Sequence, residues 1–432
     1  MQNEAMVAWG VLFVVLVFVA SGRFRFELAA LGGLLFLGFV GIAEPGKMFL
    51  GFGHPALITI GAIFVISRSI TESGVLSGLG VAIAARTRTH RSQILSLSAV
   101  TSVLSAFMNN VGAIGLIMPT AKRMAYRSGL CKGAFGLPLA YASILGGSMT
   151  LIGSAPNIIV STYLAAATGQ GFRMFDFTPY GLTMLLSGLF LWLVCRACGF
   201  TPGAWGESDV NSDVNSDVDS MEKKQETGLP QGEPGPLSTP ERRRTLFIVG
   251  LAISLLAVDI LTPAVIFGAA ALLLIVLRVL TAETAYESLD LSILFFLGAM
   301  LGISNILEET GGLQLLGTQL LHMTEGLPRF VLLAVLLFVS SFLSNILNNS
   351  AAAAVMAPMA LALEDPTASA DLPAMMMAVA SGSNLAVFLP THQATLMVLA
   401  SAPFSISTFM KSGIVLTLVA GFAAVTVINS LL

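Results

Sequence analysis

The chain has 432 residues, of which 55% are hydrophobic and 10% charged, and its mean hydropathy is +0.86. A soluble domain carries about 25% charged residues, so this composition cannot build a water-facing surface. The net charge of −3 offers no basic field, which excludes nucleic acid as a partner.

The apolar residues fall into runs close to the roughly 20 residues that a helix needs to cross the hydrocarbon layer, without strand-like alternation. The chain is therefore expected to be an all-α integral membrane protein and not a β-barrel. A first set of spans is predicted at 6–20, 28–42, 56–70, 133–168 (long and interrupted) and 181–194. The first reads as a retained span, because Glu4 and no basic residue precedes it and Ser21-Gly22-Arg23 is a poor cleavage site. Between the third and fourth spans lie two apolar segments joined at Asn109-Asn110. Cys195 and Cys198 end the fifth span with no second Cys or His pair nearby, so they carry no metal or redox reading.

Residues 205–244 differ in kind. The run from Ser208 to Asp219 nearly repeats Ser-Asp-Val-Asn, and a Pro/Gly-rich stretch with Lys223, Lys224 and Arg242 to Arg244 follows. Such a segment buries too little apolar surface to offset its ordering entropy, which predicts a disordered linker between halves 1–204 and 245–432. Spans of the second half are predicted at 246–261, 264–279, 291–307, 375–400 (again interrupted) and 414–431, with Asn348-Asn349 joining another apolar pair.

The halves repeat one another. Ile66-Ser67 followed by Glu72-Ser73-Gly74 recurs as Ile303-Ser304 followed by Glu309-Thr310-Gly311. Ser105, Asn109, Asn110 and Pro119 recur as Ser344, Asn348, Asn349 and Pro358 with every internal spacing kept, and Phe172, Phe177 and Gly181 recur as Phe404, Phe409 and Gly413. Three matches in one order read as an internal duplication of the kind that builds secondary transporters.

Lys and Arg in short loops set the orientation. Arg23, Arg25, Arg86, Arg88, Arg91, Lys122, Arg123, Arg127, Lys132, Arg196, Arg278, Lys411 and the linker fall on one side, read as cytoplasmic; Lys47, Arg173 and Arg329 fall on the other. The expected architecture is then two inverted-topology repeats, each of five spanning helices, one of them broken, plus a re-entrant helical hairpin. The hairpins are placed at about 92–127 and 329–364, and the broken helices at about 133–168 and 375–400. Both termini are expected outside and the central loop in the cytoplasm.

Each hairpin tip sets adjacent carboxamides in an apolar environment, where an unsatisfied polar group costs several kcal/mol. The Asn residues cap the flanking helices, and their duplication with a Ser upstream adds a ligand role. Pro156, after Gly153-Ser154, and Pro390, after Ser381-Gly382-Ser383-Asn384, predict the breaks, since Pro inside a helix costs about 3 kcal/mol. Two hairpins and two breaks bring four helix N-termini and four C-termini together, each worth about half an elementary charge. That field suits an anion carried with cations. No Lys, Arg, Asp or Glu lies in the four motifs, so an anion would rest on backbone N–H groups and neutral side chains. Hydroxyl and carbonyl oxygens suit a hard cation such as Na⁺, and His392 is the one titratable group a proton-coupled carrier could use there. Glu72, with Arg68 four residues before it, and Glu309 lie at span ends and read as structural.

At these residues the chain resembles the divalent anion:sodium symporter family of the ion transporter superfamily, whose paired Ser-Asn-Thr hairpin motifs are each followed by a broken helix. The resemblance implies one sodium site at Ser105, Asn109, Asn110 and the Gly153 carbonyl, and a second at Ser344, Asn348, Asn349 and the backbone near His392. It implies substrate contacts from Asn110, Val111 and Ser154, and from Asn349, Ser350, Gln393 and Thr395. It also implies homodimers working by elevator-type alternating access. This sequence departs from the family in having Asn109 and Asn348 for Ser, Val111 for Thr, and Thr395 about where a counterpart of Asn157 is expected. The Asn-Asn tips lean toward the sulfate branch. The expectation is a sodium-coupled symporter of a small divalent oxyanion, sulfate before C4-dicarboxylate or citrate, in a bacterial-type inner membrane. A cation/proton antiporter or arsenite-type permease is the rival within transport. A solute-sensing membrane receptor is more remote. No Ser-His-Asp or His-Glu-His spacing supports an intramembrane enzyme.

Overall fold

The computed structural model describes residues 2–21, 25–73, 89–108, 110–127, 135–197, 239–257, 261–312, 327–347, 349–363, 372–389, 392–401 and 406–432. Over these the protein is all-α. The longer helices of the first half are α1 (Gln2–Ser21), α2 (Phe26–Phe39), α3 (Pro55–Glu72), α4 (His90–Phe107), α5 (Asn110–Arg127), α6 (Gly136–Gly147), α7 (Ala155–Thr168) and α8 (Thr178–Ala197). Those of the second half are α9 (Thr239–Ala257), α10 (Pro263–Val276), α11 (Leu291–Glu309), α12 (Arg329–Ile346), α13 (Asn349–Ala362), α14 (Leu372–Asn384), α15 (Gln393–Ser401) and α16 (Ile406–Leu431). A short helix stands between the second and third member of each set, Pro45–Met48 and Ala282–Glu287.

Among the described residues, three segments are long and apolar enough to cross a bilayer, Pro45–Glu72, Arg329–Ile346 and Phe409–Leu431. Large apolar side chains such as Phe13, Phe39, Phe190 and Phe247 are exposed, as a lipid-facing surface requires. The protein is a multi-pass membrane protein. The helix α12 has 18 residues, about 27 Å at 1.5 Å per residue. That is longer than half a bilayer of about 30 Å, so the expected re-entrant hairpin, with its tip at mid-depth, would need tilted arms or arms that start outside the hydrocarbon.

Local sequence explains where these helices begin and end. Thr89 opens α4 through a reciprocal capping arrangement with Ser92. Pro156 lies in the first turn of α7, where its missing N–H is not needed. Gly169 closes α7 at φ 80°, a conformation that costs glycine nothing. The helix α9 begins at Thr239, so Arg242, Arg243 and Arg244 lie on its first turns. The helix thus reaches into the last residues of the segment read from sequence as a linker, 205–244; residues 205–238 lie outside the described residues.

The halves exchange partners. In each half the fourth and sixth helices pack together, α4 on α6 and α12 on α14. Glycines allow the close approach: a Cβ on Gly146 would meet the Ser102 backbone, and one on Gly382 the Leu337 backbone. The seventh helices cross over, with α7 on α13 and α14 and α15 on α5 and α6. Likewise α2 packs on α11 and α10 on α3, while α8 packs on α16. The duplicated acids have cationic partners: Glu72 pairs with Arg68 at 2.7 Å and Glu309 with Lys47 at 3.4 Å.

The duplicated Gly181 and Gly413 have a packing reason. A Cβ on Gly181 would lie 2.6 Å from Met149 Cα, and one on Gly413 would lie 2.6 Å from Phe388 Cα. Each glycine lets the last helix of its half press on the unwound backbone of the break. Gly181→Ala and Gly413→Ala are each expected to lower the thermal midpoint in detergent, through an overpacking cost of about 1–3 kcal/mol. An unchanged midpoint would mean that the breaks shift freely.

Candidate functional site

Two helix pairs meet at the Asn-Asn segments. The helix α4 ends at Phe107 and α5 starts at Asn110; α12 ends at Ile346 and α13 starts at Asn349. Met108 and Leu347 are extended at these junctions, which turns the chain out of one helix before the next begins. Asn109 and Asn348 lie outside the described residues. The breaks stand beside these junctions, with α6 stopping at Gly147 and α7 starting at Ala155, and with α14 stopping at Asn384 and α15 starting at Gln393.

In the first half Ser105 Oγ lies 2.7 Å from Asn110 Oδ1 and 2.7 Å from the Ser143 carbonyl oxygen. A hydroxyl has one proton, so with the carboxamide in this orientation one of these two oxygens faces another oxygen without hydrogen between them. Ser143 Oγ donates to the Asn110 carbonyl at 2.9 Å. Gly147 has no room for a side chain, because a Cβ there would overlap Asn110 Oδ1 and come within 3.1 Å of the Gly153 carbonyl oxygen. A Cβ on Gly153 would in turn lie 2.9 Å from the Ala106 carbonyl oxygen and 3.1 Å from that of Ser105. The junction between α4 and α5 and the break thus converge on a nest of neutral oxygens, with Ser105 and Asn110 both buried.

The second half repeats the motif. Ser344 Oγ lies 2.9 Å from Asn349 Oδ1 and 2.5 Å from the Ser383 carbonyl oxygen, again two acceptors for one proton. Here Ser383 Oγ is buried with no partner among the described residues, as is Thr395 Oγ1. Asn345, which the sequence reading passed over, braces the break: its Oδ1 accepts from Phe388 N at 3.1 Å and Leu389 N at 3.0 Å, and its Nδ2 donates to the Ser341 carbonyl at 2.8 Å. His392 Nδ1 accepts from Ala394 N at 3.1 Å, so this ring caps the start of α15.

The remaining expected substrate residues divide. Ser154 Oγ donates to Asn384 Oδ1 at 2.5 Å, across the two halves. Ser350 is buried beside Asn349 at the start of α13. The Gln393 side chain lies outside the described residues. Val111 packs with Tyr141 and Met397 against an apolar cluster that includes Ile114 and Phe409, which gives it a wall position. Ser143, Asn345 and Asn384 join the site only in three dimensions. Their signal in the sequence was a polar residue inside an apolar run, and Asn384 was visible in the Ser381 to Asn384 stretch.

A family profile described as "Citrate transporter" matches residues 15–382. The transporter YfbS of Escherichia coli is 29% identical over 45% of this chain and 32% of its own length. The probable sodium/sulfate cotransporter 3 of Chlamydomonas reinhardtii is 28% identical over 38% of this chain and 19% of its own length. The chain thus spans about a third or less of the length of these curated relatives. In fold it matches the crystal structure of the YdaH transporter of Alcanivorax borkumensis with a TM-score of 0.60 at 13% identity, over 92% of this chain and 87% of that one.

Proposed function

The chain belongs to the citrate transporter family, within the ion transporter superfamily, and on that premise we propose that it is a secondary transporter moving a small divalent oxyanion together with sodium. The observation that carries this reading is the oxygen nest built twice, in which Ser105 and Ser344 each face an Asn carboxamide oxygen and a main-chain carbonyl with one proton to share. A desolvated cation between those oxygens relieves their mutual repulsion, and neutral hard oxygens suit Na⁺. The first site takes Ser105, Asn109, Asn110 and the Gly153 carbonyl; the second takes Ser344, Asn348, Asn349 and the backbone at His392.

The anion lies between the nests, at the N-termini of α5, α7, α13 and α15. Asn110, Ser154, Asn349, Ser350, Gln393 and Thr395 supply its polar contacts, and Val111 an apolar wall. Thr395 Oγ1, without a partner among the described residues, supports a ligand role there. Reciprocal packing of the two sets of helices supports inverted repeats over 1–204 and 245–432. With the Lys and Arg distribution, it supports an inner-membrane protein with both termini outside and the central loop in the cytoplasm. Elevator-type movement as a homodimer follows from the family resemblance.

Sulfate is the first choice of substrate, supported by the sodium/sulfate cotransporter relative. Citrate, with C4-dicarboxylates, is the second reading, favoured by the description of the family matched over 15–382. Uptake of radiolabelled sulfate, citrate and succinate into proteoliposomes, with and without an inward sodium gradient, separates these. Sodium-driven accumulation of one anion is expected. Accumulation driven by a proton gradient and indifferent to sodium would overturn the sodium reading in favour of the antiporter or permease class.

A further inference from the structure

The breaks are joined to each other by two buried carboxamides that are not among the expected sodium or substrate contacts. Asn157, on α7, is fully buried and Asn384, at the end of α14, is 2% exposed. Asn384 Nδ2 donates to Asn157 Oδ1 at 2.7 Å, and Ser154 Oγ donates to Asn384 Oδ1 at 2.5 Å. On the first-half side, Asn157 Nδ2 donates to the Thr150 carbonyl at 2.7 Å. Thr150 Oγ1 donates to the Ala106 carbonyl and accepts from Gly153 N at 3.1 Å. On the second-half side, Asn384 follows Ser383, whose carbonyl receives Ser344 Oγ.

A continuous polar chain therefore runs from the residue next to Ser105, through the break at 148–154, across the boundary between halves, to a carbonyl of the second oxygen nest. Ser143 and Ser383 occupy matching places as acceptors of Ser105 and Ser344, and the residue after Ser143 is Ile144. The first half thus has no carboxamide at the place of Asn384, and the link is built once.

We infer that Asn157 and Asn384 are positioning residues that couple the two cation sites, so that a cation held at Ser105, Asn110 and Gly153 sets the Ser383 carbonyl for a cation at the second site. The inference rests on the sodium reading above. A cation drawing in the Gly153 carbonyl fixes the break, with it Ser154 and the Thr150 carbonyl, and through the two Asn side chains the end of α14. Buried carboxamides transmit such a displacement because moving one alone leaves its partner unsatisfied in a medium without water.

The test titrates purified protein with Na⁺ alone, K⁺ holding the ionic strength, and follows protection against thermal unfolding. Wild type is expected to show a Hill coefficient above 1, bounded by the number of coupled sites. In Asn384→Leu, which is close to isosteric, and in Asn157→Ala, it should fall to about 1, with half-saturating sodium raised about 10-fold. Either substitution alone removes the 2.7 Å bond, so one folded variant suffices, and the double variant should match the singles. A residue that only props the fold would lower the midpoint without sodium and leave the cooperativity intact. Unchanged cooperativity in a folded variant, or a wild-type coefficient of 1, overturns the coupling while sodium binding stands. A wild type with no response to sodium overturns both readings.

Discussion

Asn110→Ala is expected to lower sodium-driven anion uptake by at least about 100-fold, since even partners outside the ligand shell cost 10- to 100-fold when lost. The substitution deletes Oδ1, the oxygen that sits 2.7 Å from Ser105 Oγ and fills the space over Gly147. The fold should tolerate it. Ser105 keeps the Ser143 carbonyl as acceptor at 2.7 Å, so its one proton remains used and the crowding of oxygens is relieved. Asn349→Ala should act in the same way on the second nest, where Ser344 retains the Ser383 carbonyl. Uptake into proteoliposomes, compared at equal amounts of inserted protein, checks both. Wild-type rates in either variant would remove that Asn from the cation site.

The second large effect is on stability. Asn345→Ala should destabilise the protein by about 4 kcal/mol, because it leaves the Phe388 and Leu389 N–H groups without their acceptor at a cost of about 1–3 kcal/mol each. The unwound segment at 385–389 has no helical ladder of its own there, and irregular backbone inside a membrane protein persists only where other groups satisfy it. Thermal unfolding in detergent measures the loss. A shift equivalent to less than about 1 kcal/mol would show that the two N–H groups find other acceptors. Sodium affinity at the first nest should change less than at the second, since Asn345 braces the second break alone.

The helical class and the two junctions were legible because they depend on local pattern. Apolar runs define helices, and the identical spacing of Ser105, Asn110 and Pro119 with Ser344, Asn349 and Pro358 announces two copies of one device. Pro156 marked its break because a proline without an N–H belongs in the first turn of a helix. What stayed hidden depends on contacts between distant parts of the chain. Asn384 meets Asn157 across 227 positions, and comparing the halves could not flag it, since Ile144 stands at the matching place. Asn345 belongs to one half for a related reason: Ala106 follows Ser105 where Asn345 follows Ser344. Val111 shows the limit of carrying a role over by position, because removing the hydroxyl of the family's Thr lets the side chain join the apolar cluster around Phe409.

The exchange of the seventh helices bears on how the chain is made. A ribosome finishes α7 long before it begins α13 and α14, the helices on which α7 packs, and α5 and α6 must wait still longer for α15. Neither half completes its own interior, so the first must persist in the bilayer with the Asn157 carboxamide lacking its partner until the second is inserted. Biogenesis is therefore committed to a late, non-local closing step, of the kind that slows assembly and leaves early segments open to quality control. Expressed alone, the first half should be degraded, and co-expression of the second half should rescue it.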